Sequence, residues 1–224
     1  MKKKAWIDGK RTSLLYKSVL CVVYWFFRVF YKHKIYGLSH CPKGAAIIAP
    51  NHASFYDPPL VSVSCNEEVH FLARKSLFNN YFFGGLIRKL NAHPVSGRSE
   101  DVSVFKTILG LLNEGKKVLL FPEGKRSFHG ELGKIKPGFS FLLSKSKAAL
   151  WPVYVHGTYE VWSRKRKVPK LFGRTACIFG SPIYMEQFAH IDKKRVQEEL
   201  SLAISTSILG LKKWYEEGAK GSPP

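Results

Sequence analysis

Ala45 to Pro50 is a short apolar run, and Asn51-His52-Ala53-Ser54-Phe55-Tyr56-Asp57 follows it without a break. A run of this length closed by proline reads as a buried strand. Polar residues where such a strand gives way to a loop are a common place for chemistry in an α/β domain. The pattern returns downstream, where Val118-Leu119-Leu120 runs into Phe121-Pro122-Glu123-Gly124-Lys125-Arg126-Ser127. A lone His-x4-Asp arises often by chance, and a histidine at a strand end is ordinarily structural. Two polar clusters, each leaving a strand, read as one site. Asp57-Pro58-Pro59 reads as a helix start, with a carboxylate cap followed by proline. On one regular helix His52 and Asp57 would stand roughly 140° apart. They meet only if His52 lies in the loop and Asp57 at the helix mouth.

The remaining periodicities repeat the alternation. Val69–Ala73, Val118–Phe121, Trp151–Val155 and Thr175–Phe179 read as strands. Leu77–Leu90, with Gly84-Gly85, reads as a loop and short helix. Ser99–Asn113, closed by Gly115, reads as a helix, as do Gly138–Ser146 and Asp192–Glu217. Strands alternating with helices predict an α/β fold with a mostly parallel sheet flanked by helices. No linker divides the chain, so residues 35–217 form one domain, with residues 218–224 as a frayed tail.

Lys and Arg outnumber Asp and Glu by 36 to 16, a net charge of +20. That balance predicts an anionic partner. Phenylalanine is abundant, at 16 residues, and clusters beside basic residues, which favours an anionic membrane surface over nucleic acid. Residues 1–34 carry the membrane expectation. Met1-Lys2-Lys3-Lys4 is basic, Val19–Phe27 is continuously apolar, and Lys17 and Arg28 bracket that run. It falls short of the ~20 residues a spanning helix needs, so the segment reads as an amphipathic helix anchored on one leaflet. Tyr81-Phe82-Phe83 reads as core or as an insertion loop. Arg164-Lys165-Arg166-Lys167 reads as a solvated face, or as a contact for anionic lipid or an acidic carrier protein. Cys21, Cys41, Cys65 and Cys177 have no paired spacing, which predicts neither zinc nor a disulfide framework.

The two clusters resemble motifs of the glycerolipid acyltransferases, Asn-His-x-Ser-x-x-Asp and Phe-Pro-Glu-Gly-Thr-Arg-Ser, with Lys125 standing where the family has threonine. Phe71-Leu72-Ala73-Arg74-Lys75 through Pro94-Val95-Ser96-Gly97-Arg98, and Leu150-Trp151-Pro152-Val153-Tyr154-Val155, are similar to two further family regions. The pattern is most similar to the 1-acyl-sn-glycerol-3-phosphate acyltransferase branch. That resemblance implies transfer of a fatty acyl group from acyl-CoA or acyl-acyl carrier protein to lysophosphatidic acid, giving phosphatidic acid. It implies no cofactor or metal, and a membrane-associated enzyme with its site on the cytoplasmic side.

In that chemistry His52 serves as general base and Asp57 holds its tautomer. The substrate's hydroxyl replaces an enzyme nucleophile, and Ser54 and Ser127, outside any Gly-x-Ser-x-Gly elbow, read as turn or cap residues. The third motif is assigned by the resemblance mainly to the acceptor. Arg126 is the phosphate ligand, Glu123 orients it or accepts from a glycerol hydroxyl, and Lys125 and Arg98 are further phosphate ligands. Backbone N–H groups near Glu123-Gly124 are candidate oxyanion donors. Glycerol 3-phosphate or another lysophospholipid is the alternative acceptor. A non-catalytic basic membrane scaffold is the alternative from another class.

Overall fold

A computed structural model describes residues 13–65, 67–95 and 102–224. Arg98 and the first cationic residues, Lys2 to Lys4, lie outside the described residues. In chain order the strands are β1 (Lys34–Tyr36), β2 (Ala46–Pro50), β3 (Val69–Arg74), β4 (Ala92–Val95), β5 (Lys117–Leu119), β6 (Ala149–His156) and β7 (Ala176–Phe179). They form one sheet in the order β1-β7-β6-β2-β5-β3-β4. Every neighbouring pair is parallel except β6 with β7.

The helices are α1 (Leu14–Phe30), α2 (Asp57–Ser64), α3 (Tyr81–Lys89), α4 (Val102–Asn113), α5 (Phe139–Ser146), α6 (Thr158–Trp162) and α7 (Val196–Glu216). They cover both faces of the sheet, which is why β2 and β6 are apolar along their length rather than alternating. Successive strand residues serve opposite layers. Ile47 and Ala49 pack with Leu112 of α4, Leu143 of α5 and Ile204 of α7. Ile48 packs on the other side with Leu60 of α2 and with Leu20 and Phe27 of α1.

β2 lies in the middle of the sheet between β5 and β6. Leu120 N–H donates to Ile48 O at 2.9 Å, so β2 and β5 end side by side. The loops that leave them therefore emerge at one carboxyl edge, where open α/β sheets hold their ligands.

Three expectations change. The apolar run in α1 is divided: Tyr16, Leu20 and Phe27 are buried in the protein's own core, whereas Val22, Trp25 and Val29 point outward. Tyr16 Oη also accepts from Val69 N at 3.1 Å, tying the helix to the sheet. Among the described residues no helix is long and apolar enough to cross a membrane. Second, residues 218–224 are not frayed. Trp214 Nε1 donates to Lys220 O at 2.9 Å, Ser181 N donates to Pro224 O at 3.1 Å, and Pro223 is buried. Third, Asp57 opens α2 but does not cap it. Its carboxylate turns back onto the preceding loop.

Candidate active site

Asn51 continues the β2–β6 ladder with its side chain after the main chain of β2 departs. Its Oδ1 accepts from Val155 N at 2.7 Å and its Nδ2 donates to Val155 O at 3.1 Å. The next residue, His52, is fixed at four points. Its N–H donates to Glu123 Oε1 at 2.7 Å, and its carbonyl accepts from Ser127 N at 2.8 Å. Its ring stacks on Phe121, with centroids 3.6 Å apart and planes 16° apart. Its Nδ1 lies 2.8 Å from Asp57 Oδ2.

Asp57 is fully buried, while the His52 side chain keeps 15% exposure. The Asp57 carboxylate replaces its lost water with protein donors. Oδ2 accepts from Ala53 N and Ser54 N, both at 2.7 Å. Oδ1 accepts from Thr158 Oγ1 at 2.6 Å. With an acceptor-only carboxylate opposite it, Nδ1 of His52 carries the ring proton, and Nε2 presents its lone pair.

Thr158 reaches Asp57 because Gly157 turns the chain at the end of β6 with φ of 79°. A Cβ there would stand 1.9 Å from Arg174 O. This threonine escaped the sequence reading. The signal for it was a glycine followed by a hydroxyl residue at the end of a central strand.

Glu123 is buried, and both its oxygens are occupied by main-chain donors. Oε1 takes His52 N, and Oε2 takes Gly133 N at 2.9 Å. It therefore braces the His52 loop, in place of the expected contact with Arg126 or substrate. Burial raises its pKa, against the lowering effect of those two amides. Gly124 also departs from expectation, since its N–H donates to Phe121 O at 3.0 Å and is spent as an oxyanion donor. Its φ of +67° keeps the turn open, and a Cβ would stand 2.9 Å from Lys136 Cδ. Lys125 is exposed beside it. Ser54 and Ser127 hold turns: Ser54 Oγ donates to Trp162 O at 2.7 Å, and Ser127 Oγ accepts from Gly130 N at 3.1 Å.

Arg126 stacks over the Phe55 ring, 3.5 Å from its centroid. Its Nη1 is buried and without a hydrogen-bond partner among the described residues. Burial lowers its pKa first, then the neighbouring Arg164, with Asp57 opposing and Arg74 adding to the effect. Arg164 comes from the run read as a solvated face, yet it donates to Arg126 O at 3.3 Å and lies 3.7 Å over Phe128. Arg74 ends β3. Sequence reasoning did not assign these two arginines to the site, because only the fold brings them beside Arg126. The arrangement unites a histidine with a free lone pair and a cluster of guanidinium groups, suited to a phosphorylated alcohol. Among the described residues no group of three or more His, Cys, Asp or Glu side chains could hold a metal ion.

Comparison with known proteins gives the same direction. The family profile described as Acyltransferase matches residues 32–156. A Bacillus subtilis protein named 1-acyl-sn-glycerol-3-phosphate acyltransferase is 29% identical over 177 residues, 78% of this chain and 85% of its own. A chloroplastic Arabidopsis thaliana protein of that name, LPAT1, is 28% identical over 159 residues, 69% of this chain but 44% of its own. The crystal structure of the 1-acyl-sn-glycerophosphate acyltransferase PlsC from Thermotoga maritima superposes with a TM-score of 0.72 at 22% identity, over 88% of this chain and 81% of that one. The profile spans more than half of the chain and contains both polar clusters, and the chain belongs to the Acyltransferase family.

Proposed function

We propose that this acyltransferase moves a fatty acyl group from an acyl thioester to the sn-2 hydroxyl of 1-acyl-sn-glycerol 3-phosphate, giving phosphatidic acid. The observation that carries the reading is the His52–Asp57 pair beside Arg126, whose Nη1 is buried and unpaired. The names of the Bacillus and Arabidopsis relatives support the choice of acceptor.

In this mechanism Nε2 of His52 takes the proton from the acceptor hydroxyl as its oxygen attacks the thioester carbonyl. The C–O bond forms, the C–S bond breaks, and the imidazolium returns the proton to the departing thiolate. Asp57 keeps Nδ1 protonated and stabilises the transient imidazolium, the part an aspartate plays in a serine triad. Arg126 and Arg164 hold the acceptor phosphate, with Arg74 and Lys125 adding charge at its rim and Arg98 as a further ligand. No cofactor is called for, because the thioester supplies the activated acyl group from coenzyme A or an acyl carrier protein.

The outward stripe Val22, Trp25 and Val29 of α1 supports attachment to a membrane surface, and the net charge of +20 supports an anionic one. A site on the cytoplasmic side belongs to this reading through the family resemblance alone. Nucleic acid has no role in this reading. Incubating purified protein with labelled lysophosphatidic acid and each thioester donor, then separating the lipid products, tests it. Phosphatidic acid is the expected product. Acylation of glycerol 3-phosphate or a larger-headed lysolipid instead would move the acceptor, and absence of any acyl transfer would overturn the reading.

A further inference from the structure

We propose that the loop from Arg164 to Phe172 is a second lipid-contact element, which inserts Leu171 and Phe172 into an anionic leaflet and holds the site's mouth against it. This rests on the acyltransferase reading above and extends it to the surface that delivers the acceptor.

The loop follows α6 and exposes three apolar side chains, Val168 at 71%, Leu171 at 63% and Phe172 at 66%. They are not exposed for want of anchoring. Lys170 N donates to Val161 O, Tyr31 Oη donates to Lys170 O, and Gly173 N donates to Phe30 O. A backbone pinned in this way presents its side chains outward at fixed positions. Apolar groups held exposed on a rigid segment gain no burial free energy on folding, and a contiguous patch of them flanked by polar residues marks a contact surface.

Charge identifies the cover. No acidic residue lies between Glu160 and Glu186, a stretch that contains Arg164, Lys165, Arg166, Lys167, Lys170 and Arg174. Cations flanking protruding apolar groups match an anionic interface, where chains lie below the level of phosphate. The loop is also continuous with the outward side of α1, because Phe172 stacks on Phe30 with centroids 5.8 Å apart and planes 25° apart. Trp25 on that helix is exposed, as an interfacial aromatic would be. An acidic carrier protein would satisfy the cations but leave these apolar groups without a reason to protrude.

The same segment is tied to the catalytic loop. Ser54 Oγ donates to Trp162 O, and Arg164 donates to Arg126 O. Seating residues 165–172 in a leaflet therefore sets the cationic pocket at headgroup height. An acceptor enters it without its acyl chain leaving the bilayer.

The test compares the full chain, a Leu171→Asp/Phe172→Asp variant and a Lys165→Ala/Arg166→Ala/Lys167→Ala variant. Each is floated with phosphatidylcholine vesicles, with and without phosphatidylglycerol, and assayed on a short-chain monomeric lysophosphatidate. The apolar variant should lose roughly tenfold or more in partitioning to both vesicle types. The basic variant should lose about 100-fold on anionic vesicles only. Both should keep wild-type turnover of the monomeric acceptor. Unchanged partitioning of both variants would overturn the proposal, as would partitioning unchanged but KM raised for an acyl carrier donor. Loss of monomeric turnover would overturn it too, since the loop would then serve the pocket. Vesicle binding lost in the variants, with no acylation by the wild-type chain, would leave the loop assignment standing and remove the functional reading.

Discussion

Thr158 donates its hydroxyl to Asp57 Oδ1 at 2.6 Å, across 101 residues of sequence. Both residues are fully buried, so this bond locks the carboxylate that orients His52 to the end of the neighbouring central strand. Thr158 touches no reacting atom and acts as a positioning residue. Thr158→Val leaves a buried carboxylate oxygen without its donor, at a cost of about 1–3 kcal/mol. We expect a lower Tm and a kcat reduced about tenfold, with KM for both substrates little changed, because the loss falls on the orientation of the base. Thr158→Ser should restore both. Wild-type kcat and Tm in the valine variant would refute the role.

Arg126→Ala should raise the acceptor KM by roughly 10- to 100-fold while leaving the donor KM nearly unchanged. Arg126→Lys should recover only part of the loss, because lysine keeps the charge but loses the planar fork and the stack on Phe55. Steady-state kinetics with each substrate varied in turn separate the two. Equal effects on donor and acceptor would argue against a headgroup role.

Glu123 makes a pH prediction about stability. Burial holds its pKa above the ordinary value of 4.5. Between 4.5 and that raised value the folded chain keeps a proton that the unfolded chain has released. Stability from this residue therefore falls as pH rises through that window and returns as pH is lowered. Glu123→Gln removes the titration and also turns an amide N–H toward one of the donors Glu123 now satisfies. The Tm difference between wild type and variant should grow in favour of wild type as pH is lowered from neutrality toward 4.5. A constant difference would show that the carboxyl does not titrate in that range.

The central strands were legible because both their faces are buried, so β2, β5 and β6 appear as unbroken apolar runs. The edge strands β1 and β4 were not. Each is short and covered on fewer sides, and β4 contains Pro94, which an edge tolerates because its missing N–H interrupts no ladder. Asp57 was read with its bond to His52, which the structure contains, and with a helix cap that it does not make, since Asp-Pro-Pro looks like a capped helix start whether or not the carboxylate turns backward. Glu123 was read from its charge, whereas the loop geometry supplies two amides that occupy it. Thr158 left only the weak mark of a hydroxyl residue after Gly157 at the end of β6, and Arg74 and Arg164 depend on tertiary contacts that no local pattern encodes. The outward half of α1 was visible as hydrophobicity, but its inward half could not be told apart without the sheet it packs on.

The most direct test of the mechanism is the rate at which His52→Ala forms phosphatidic acid from lysophosphatidic acid and an acyl thioester. Losing the general base should lower that rate about 1000-fold or more, while vesicle attachment stays at the wild-type value and the chain stays folded with a lowered Tm, because Asp57 loses one donor but the loop remains braced through main-chain bonds. Product formation by the variant at the wild-type rate would contradict the account.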